Sequence, residues 1–169
     1  GVEANRVTPI TLPSLICMVL LGAAPRALTA EELREQLELL RGWIAQRAIP
    51  MSPELVERDE DRINVLIGNM ISSGLLTMYD DGPEQVFTIA AEQHGEASYY
   101  RNTVIHFFLT RSIIELALVH MAQSELVGAD TFRSECERLR DYFKFEFFYA
   151  PTSEFLIEVN QEMNRLESD

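Results

Sequence analysis

Lysine is almost missing from this chain: Lys144 stands alone beside 13 arginines, and those 14 cations face 27 carboxylates, for a formal charge of −13. Phosphate contacts need clustered basic side chains, so the deficit argues against nucleic acid as a partner and against broad attraction to anionic lipid. Long apolar runs are also lacking. Leu12 to Pro25 is the longest and contains two prolines, well short of the roughly 20 residues a membrane-spanning helix requires. The stretch Val104 to Met121 is interrupted by His106, Arg111, Glu115 and His120. Contact with a membrane would therefore be peripheral. Cysteine is limited to Cys17 and Cys136, both in apolar, helix-like surroundings and without CxxC spacing. They read as small buried hydrophobes of a reducing cytoplasm, not as a disulfide. The three histidines, His94, His106 and His120, lack a second ligand at helical spacing, so no metal is expected. No phosphate-binding glycine loop or nucleophile elbow is visible. The expectation is no cofactor, no metal and no catalytic residue.

What remains is an ordinary globular composition, 47 % hydrophobic and 24 % charged, in 169 residues. Gly1-Val2-Glu3 has neither an initiator methionine nor a signal sequence, which suggests a boundary inside a longer chain. Pro13 to Leu21 reads as a short buried helix with its proline in the first turn. Thr29-Ala30-Glu31-Glu32 has the form of a capping box. The helix it opens carries Leu33, Leu37, Leu40 and Ile44 on one stripe and should run to about Ala48, before Pro50 and Pro53 break the chain. A third helix follows, with Ile63, Leu66, Ile67, Met70 and Ile71 at helical spacing, and Gly74 is placed to close it. Two β-rich runs between Leu75 and Ile89, around Asp80-Asp81-Gly82-Pro83, read as a hairpin.

Three helices followed by a hairpin is the element order of a winged helix. Beyond it the pattern predicts one long central helix, possible bend included, from Ala91 to about Gln123. Next come a helix from Thr131 to about Phe148 and a last one bearing Leu156, Val159, Met163 and Leu166. The fold class expected is mainly α: a helical bundle with a winged-helix-like N-terminal half carrying one short β-hairpin. The expected division is 1–90 and 91–169, sharing one core.

Two clusters stand out. In Tyr99-Tyr100-Arg101-Asn102-Thr103-Val104-Ile105-His106, a continuous helix would place Asn102 and His106 on one face, with Arg101 about 100° away. Arg101, Asn102 and His106 are candidates either for a phosphate or carboxylate contact or for a buried polar network, the second being favoured. In Lys144-Phe145-Glu146-Phe147-Phe148-Tyr149, the rings exceed what one helix stripe can bury. Lys144, Phe145, Phe147, Phe148 and Tyr149 are therefore candidates for an interface, with a doubly covered bundle helix as the alternative.

Several of these segments resemble the C-terminal region of the bacterial and mitochondrial glycerol-3-phosphate acyltransferases. They are Tyr99-Tyr100-Arg101-Asn102 with His106-Phe107-Phe108, Phe143 to Phe148, Asn5-Arg6-Val7-Thr8-Pro9, Leu20-Leu21-Gly22 to Leu28-Thr29, and Gly74 to Tyr79. The similarity covers nearly the whole chain. It implies acyl transfer from acyl-CoA or acyl-carrier protein to the sn-1 hydroxyl of glycerol 3-phosphate, the first step of phospholipid synthesis, at the cytoplasmic face of the cell membrane. The family's signature is His, four residues, then Asp, the His acting as base. Here His94 is followed at that spacing by Tyr99, His106 by Arg111 and His120 by Glu125. The resemblance thus implies an accessory or regulatory part, inactive alone and soluble. Its partner would be the catalytic N-terminal half of the same polypeptide, with peripheral membrane contact through the full-length protein. The alternatives are a winged-helix regulator, disfavoured by the acidic opening Glu57-Arg58-Asp59-Glu60-Asp61-Arg62 of the third helix, and a stand-alone dimerising scaffold.

Overall fold

The computed structural model describes residues 8–147, 149 and 151–168, so Phe148 and the opening residues through Val7 lie outside the described residues. Helix α1 (Leu12–Ala23) has Pro13 in its first turn and buries Leu12, Leu15, Ile16, Cys17 and Leu20. Proline suits this place because the first turn has no internal acceptor for its missing N–H. Strand β1 (Leu28–Thr29) leads directly into α2 (Ala30–Gln46) through the expected capping box. The Thr29 hydroxyl accepts the Glu32 N–H at 3.1 Å, and the Glu32 carboxylate accepts the Thr29 N–H at 2.9 Å. The Thr29 N–H bond, helped by a hydrogen bond from the Arg26 guanidinium, holds the Glu32 carboxyl below its ordinary range.

A short helix, α3 (Pro53–Glu57), sits where the sequence reading had only a proline break. Pro53 opens it, and Arg58, with φ +55°, ends it in the left-handed region. Helix α4 (Glu60–Ser72) is capped by Asp59, whose carboxylate accepts the Arg62 N–H. Gly74 follows its C-cap at φ +81°, a conformation that costs an L side chain and leaves glycine unstrained.

Strands β2 (Thr77–Tyr79) and β3 (Val86–Thr88) form the hairpin, with Thr77 opposite Thr88 and Tyr79 opposite Val86. The sheet has a third member that the sequence reading missed. β1 pairs antiparallel with β3, giving the order β1-β3-β2. Two residues are too few to show an alternation. Helix, strand, two further helices and a hairpin, with the first strand beside the last, is the connectivity of a winged helix with α3 inserted. The architecture is mainly α.

The long helix expected from Ala91 to Gln123 is broken. A 3-10 turn (Ala91–Gln93) leads into α5 (His94–Asn102), and another (Ile105–Phe107) precedes α6 (Leu109–Gln123). Thr103, Val104 and Ile105 are three successive β-branched residues, which lose rotamer freedom in a helix. The Thr103 hydroxyl donates back to the Tyr100 carbonyl at 2.7 Å and lies 3.0 Å from the Ser14 hydroxyl. Local propensity and a tertiary contact thus agree on the break. Two compact units meet in sequence at Ile105/His106.

In the first unit, α1 is the hub, packing on α2, α4, α5 and β3. In the second, α6 packs on α7 (Ala129–Phe143) and α8 (Thr152–Ser168). Ile113, Ile114, Ala117, Cys136, Phe155 and Val159 form that core.

Candidate functional site

The first predicted cluster is divided by the helix break. Arg101 and Asn102 end α5 in the first unit, and the Arg101 guanidinium donates to Asn102 Oδ1 from Nε at 3.2 Å and Nη2 at 3.0 Å. Asn102 is exposed and Arg101 half-buried. His106 belongs to the second unit, and its ring lies against that of Phe107, centroids 4.0 Å apart. The shared helical face of Asn102 and His106 does not form, because no helix connects them. The polar tie from α5 to its neighbour is made instead by Thr103, through a hydroxyl chain with Ser14 and Thr11. Ser14 is buried on a helix that is otherwise apolar. A lone serine there was the available signal.

The second cluster also departs from one helix. α7 stops at Phe143, and Lys144 to Phe147 form a turn. Phe145 is 87 % exposed, with the Lys144 ammonium 5.4 Å from its ring centroid. Phe147 is half-buried. Tyr149 turns inward, its ring edge-on to Phe155 at 6.1 Å, with the Arg140 guanidinium near both rings. Burial raises the Tyr149 hydroxyl pKa, opposed by Arg140. Of the described rings in this stretch, Phe145 is the exposed one, and Tyr142 on the preceding turn is 74 % exposed.

Two buried carboxylates went unnoticed in the sequence because acidic residues on amphipathic helices normally face water. Glu135 takes a hydrogen bond from Arg138 Nε at 2.8 Å, and its Oε1 lies 2.9 Å from His120 Nδ1. Glu162 accepts from Arg111 at 3.5 Å and from Arg165 at 3.3 Å. The Arg138 hydrogen bond, with lesser help from the Arg138 and His120 charges, holds the Glu135 carboxyl below its usual range.

A carboxylate beside an imidazole is the pair that orients a general base. Here Arg138 occupies the same carboxylate, which weakens any polarisation of the ring, and the pair clamps α6 to α7. Since the folded-state pKa is depressed, this clamp stabilises fully at neutral pH and is lost as pH falls through the carboxylate range. Glu135→Gln should cost about 1–2 kcal/mol at pH 7, at the low end for charged hydrogen bonds because His120 and Arg138 can rehydrate. The deficit should shrink toward pH 3. Urea denaturation at both pH values checks this, and a deficit that grows on acidification contradicts it.

Burial pushes the thiols up, Cys17 to about 11 and Cys136 to about 12, so both are poor nucleophiles. Among the described residues no group of three His, Cys, Asp or Glu side chains could hold a metal ion. Nor is any described helix long and apolar enough to cross a membrane.

The chain thus comprises a winged-helix-like unit and a three-helix unit, and the polar clusters described above bond within each unit. The sequence comparisons give it a family. Residues 1–169 match the family described as the glycerol-3-phosphate acyltransferase C-terminal region, and the chain belongs to that family. It is 35 % identical over 164 residues to plsB1 of Mycobacterium bovis, a protein named for acyltransferase function, and equally to plsB1 of Mycobacterium tuberculosis H37Rv. The match takes in 94 % of this chain and 26 % of each relative. The chain therefore spans about a quarter of the length of the curated relatives it matches.

Proposed function

We propose that this chain is the accessory, non-catalytic C-terminal part of a glycerol-3-phosphate 1-O-acyltransferase. In the whole protein, an acyl group would pass from acyl-CoA or acyl-carrier protein to glycerol 3-phosphate at the cytoplasmic membrane face. The carrying observation is a family match across all 169 residues that takes in only about a quarter of each relative. The sequence supports the non-catalytic half of the reading, because no histidine is followed five residues later by aspartate. Its partner is the catalytic part of the same polypeptide. Phe145 and Tyr142, exposed beside Lys144, are the anchors for that contact, since large exposed rings in a cluster favour interfaces. Tyr149 is spent on the core. Arg101 and Asn102 are assigned a structural role at the end of α5, and His106 one against Phe107.

A DNA-binding role for the winged-helix-like unit is disfavoured by charge. Glu57, Asp59, Glu60 and Asp61 crowd the start of α4, where phosphates would have to approach. The purified chain is expected to transfer no palmitoyl from its CoA ester to glycerol 3-phosphate. Turnover by this chain alone would overturn the non-catalytic reading.

A further inference from the structure

In the first unit α2 and α4 both pack on α1, yet side chains do not close the space between them. A groove of about 560 Å³ remains. Buried Leu33 and Phe87 line its base, and half-buried Leu37 faces Ile63, Ile67 and Ile71, which form one stripe along α4. Its polar lining residues are exposed or half-buried, so they form a rim. Along α2 that rim is Arg34, Glu38 and Arg41, on one helical face. Glu38 is shared, accepting from Arg41 at 3.1 and 2.6 Å and from Arg58 at 3.4 Å. Arg34 has no ion-pair partner among the described residues. Glu54 and Glu60 stand on the other rim, so a negative ligand group belongs on the α2 side. An apolar concavity of this size with few polar groups at its mouth is the form small-ligand sites take.

We infer that this groove binds one single-chain amphiphile, its alkyl chain between α2 and α4 and its anionic head, carboxylate or phosphate, at Arg34. Size selects this occupant. A helix 10 Å wide displaces roughly 420 Å³ per turn, so a partner helix could sink little more than one turn into the space. An alkyl chain at roughly 30 Å³ per carbon, about the share of a liquid water, fills it at about 18 carbons. Chemistry agrees. An alkyl chain asks no hydrogen bonds of the leucine and isoleucine walls, and a planar guanidinium suits either head group. Gly68 lines the groove, and a Cβ built there meets nothing within 4 Å, so this face of α4 is open. The inference stands apart from the acyltransferase reading, because it is tested on the purified chain with no activity measured, and either can fail alone.

The test is calorimetric titration of the 169-residue chain with palmitate, hexadecyl phosphate, hexadecanol and decanoate, each below its aggregation limit. One-to-one binding of palmitate or hexadecyl phosphate is expected, at least ten-fold tighter than decanoate. The tighter of the two head groups identifies the ligand's source. Gly68→Leu and Leu37→Trp fill the groove from opposite walls and should each weaken binding at least ten-fold with unchanged helical circular dichroism. Arg34→Gln, at an exposed position, should weaken the anionic ligands about ten-fold and leave hexadecanol unaffected. No binding, binding indifferent to chain length, or binding that survives both filling variants overturns the inference. If both filling variants unfold, equal loss of hexadecanol and palmitate in Arg34→Gln overturns it.

Discussion

Phe155→Ala should remove about 3–5 kcal/mol from the stability of the second unit, the range for truncating a fully buried aromatic ring. Phe155 is 1 % exposed and belongs to one core cluster with Ile113, Ile114, Ala117, Cys136 and Val159, to which all three helices of the unit contribute. It is also the surface against which Tyr149 and Arg140 rest. Small units bury a smaller share of their surface and have little stability to lose. The variant should therefore lose this unit's cooperative urea transition, or show it shifted to much lower urea. Ile157→Ala on the same helix, where the side chain is 56 % exposed, should change stability by no more than about 0.5 kcal/mol. A loss below about 1 kcal/mol in Phe155→Ala would mean that α8 does not hold this core together.

Much of the first unit is legible in the sequence because its signals are local. The Thr29–Glu32 box, the glycine after α4 and the two β-rich runs around an Asp-Gly turn each act within a few residues. The mainly helical class follows from the same periodicities. What the sequence conceals is tertiary. β1 exists because Leu28 and Thr29 find β3, distant in sequence, and the short α3 carries Leu55 into the core. The break after Asn102 falls where no proline or glycine marks it, since Thr103 trades helix continuation for a bond to Ser14. That break separates Asn102 from His106 and removes the reason for grouping them. The end of α7 at Phe143 likewise lets Tyr149 turn inward while Phe145 stays out. A helical wheel, which assumes one continuous helix, cannot express this. Glu135 and Glu162 were hidden for a third reason: their arginine and histidine partners lie partly on other helices.

The proposed function has this chain docking on the catalytic part of its own polypeptide through Phe145 and Tyr142. Two polypeptides, this chain and the remainder of the acyltransferase, expressed separately and mixed, put that claim to the most direct trial. The measurement is acyl transfer to glycerol 3-phosphate, together with co-elution on size exclusion. The expected result is that the mixture co-elutes and transfers at least ten-fold faster than either part alone. Phe145→Ser with Tyr142→Ser should weaken the association while leaving this chain's circular dichroism unchanged. Full activity from the remainder alone, with this chain eluting separately, would contradict the claim.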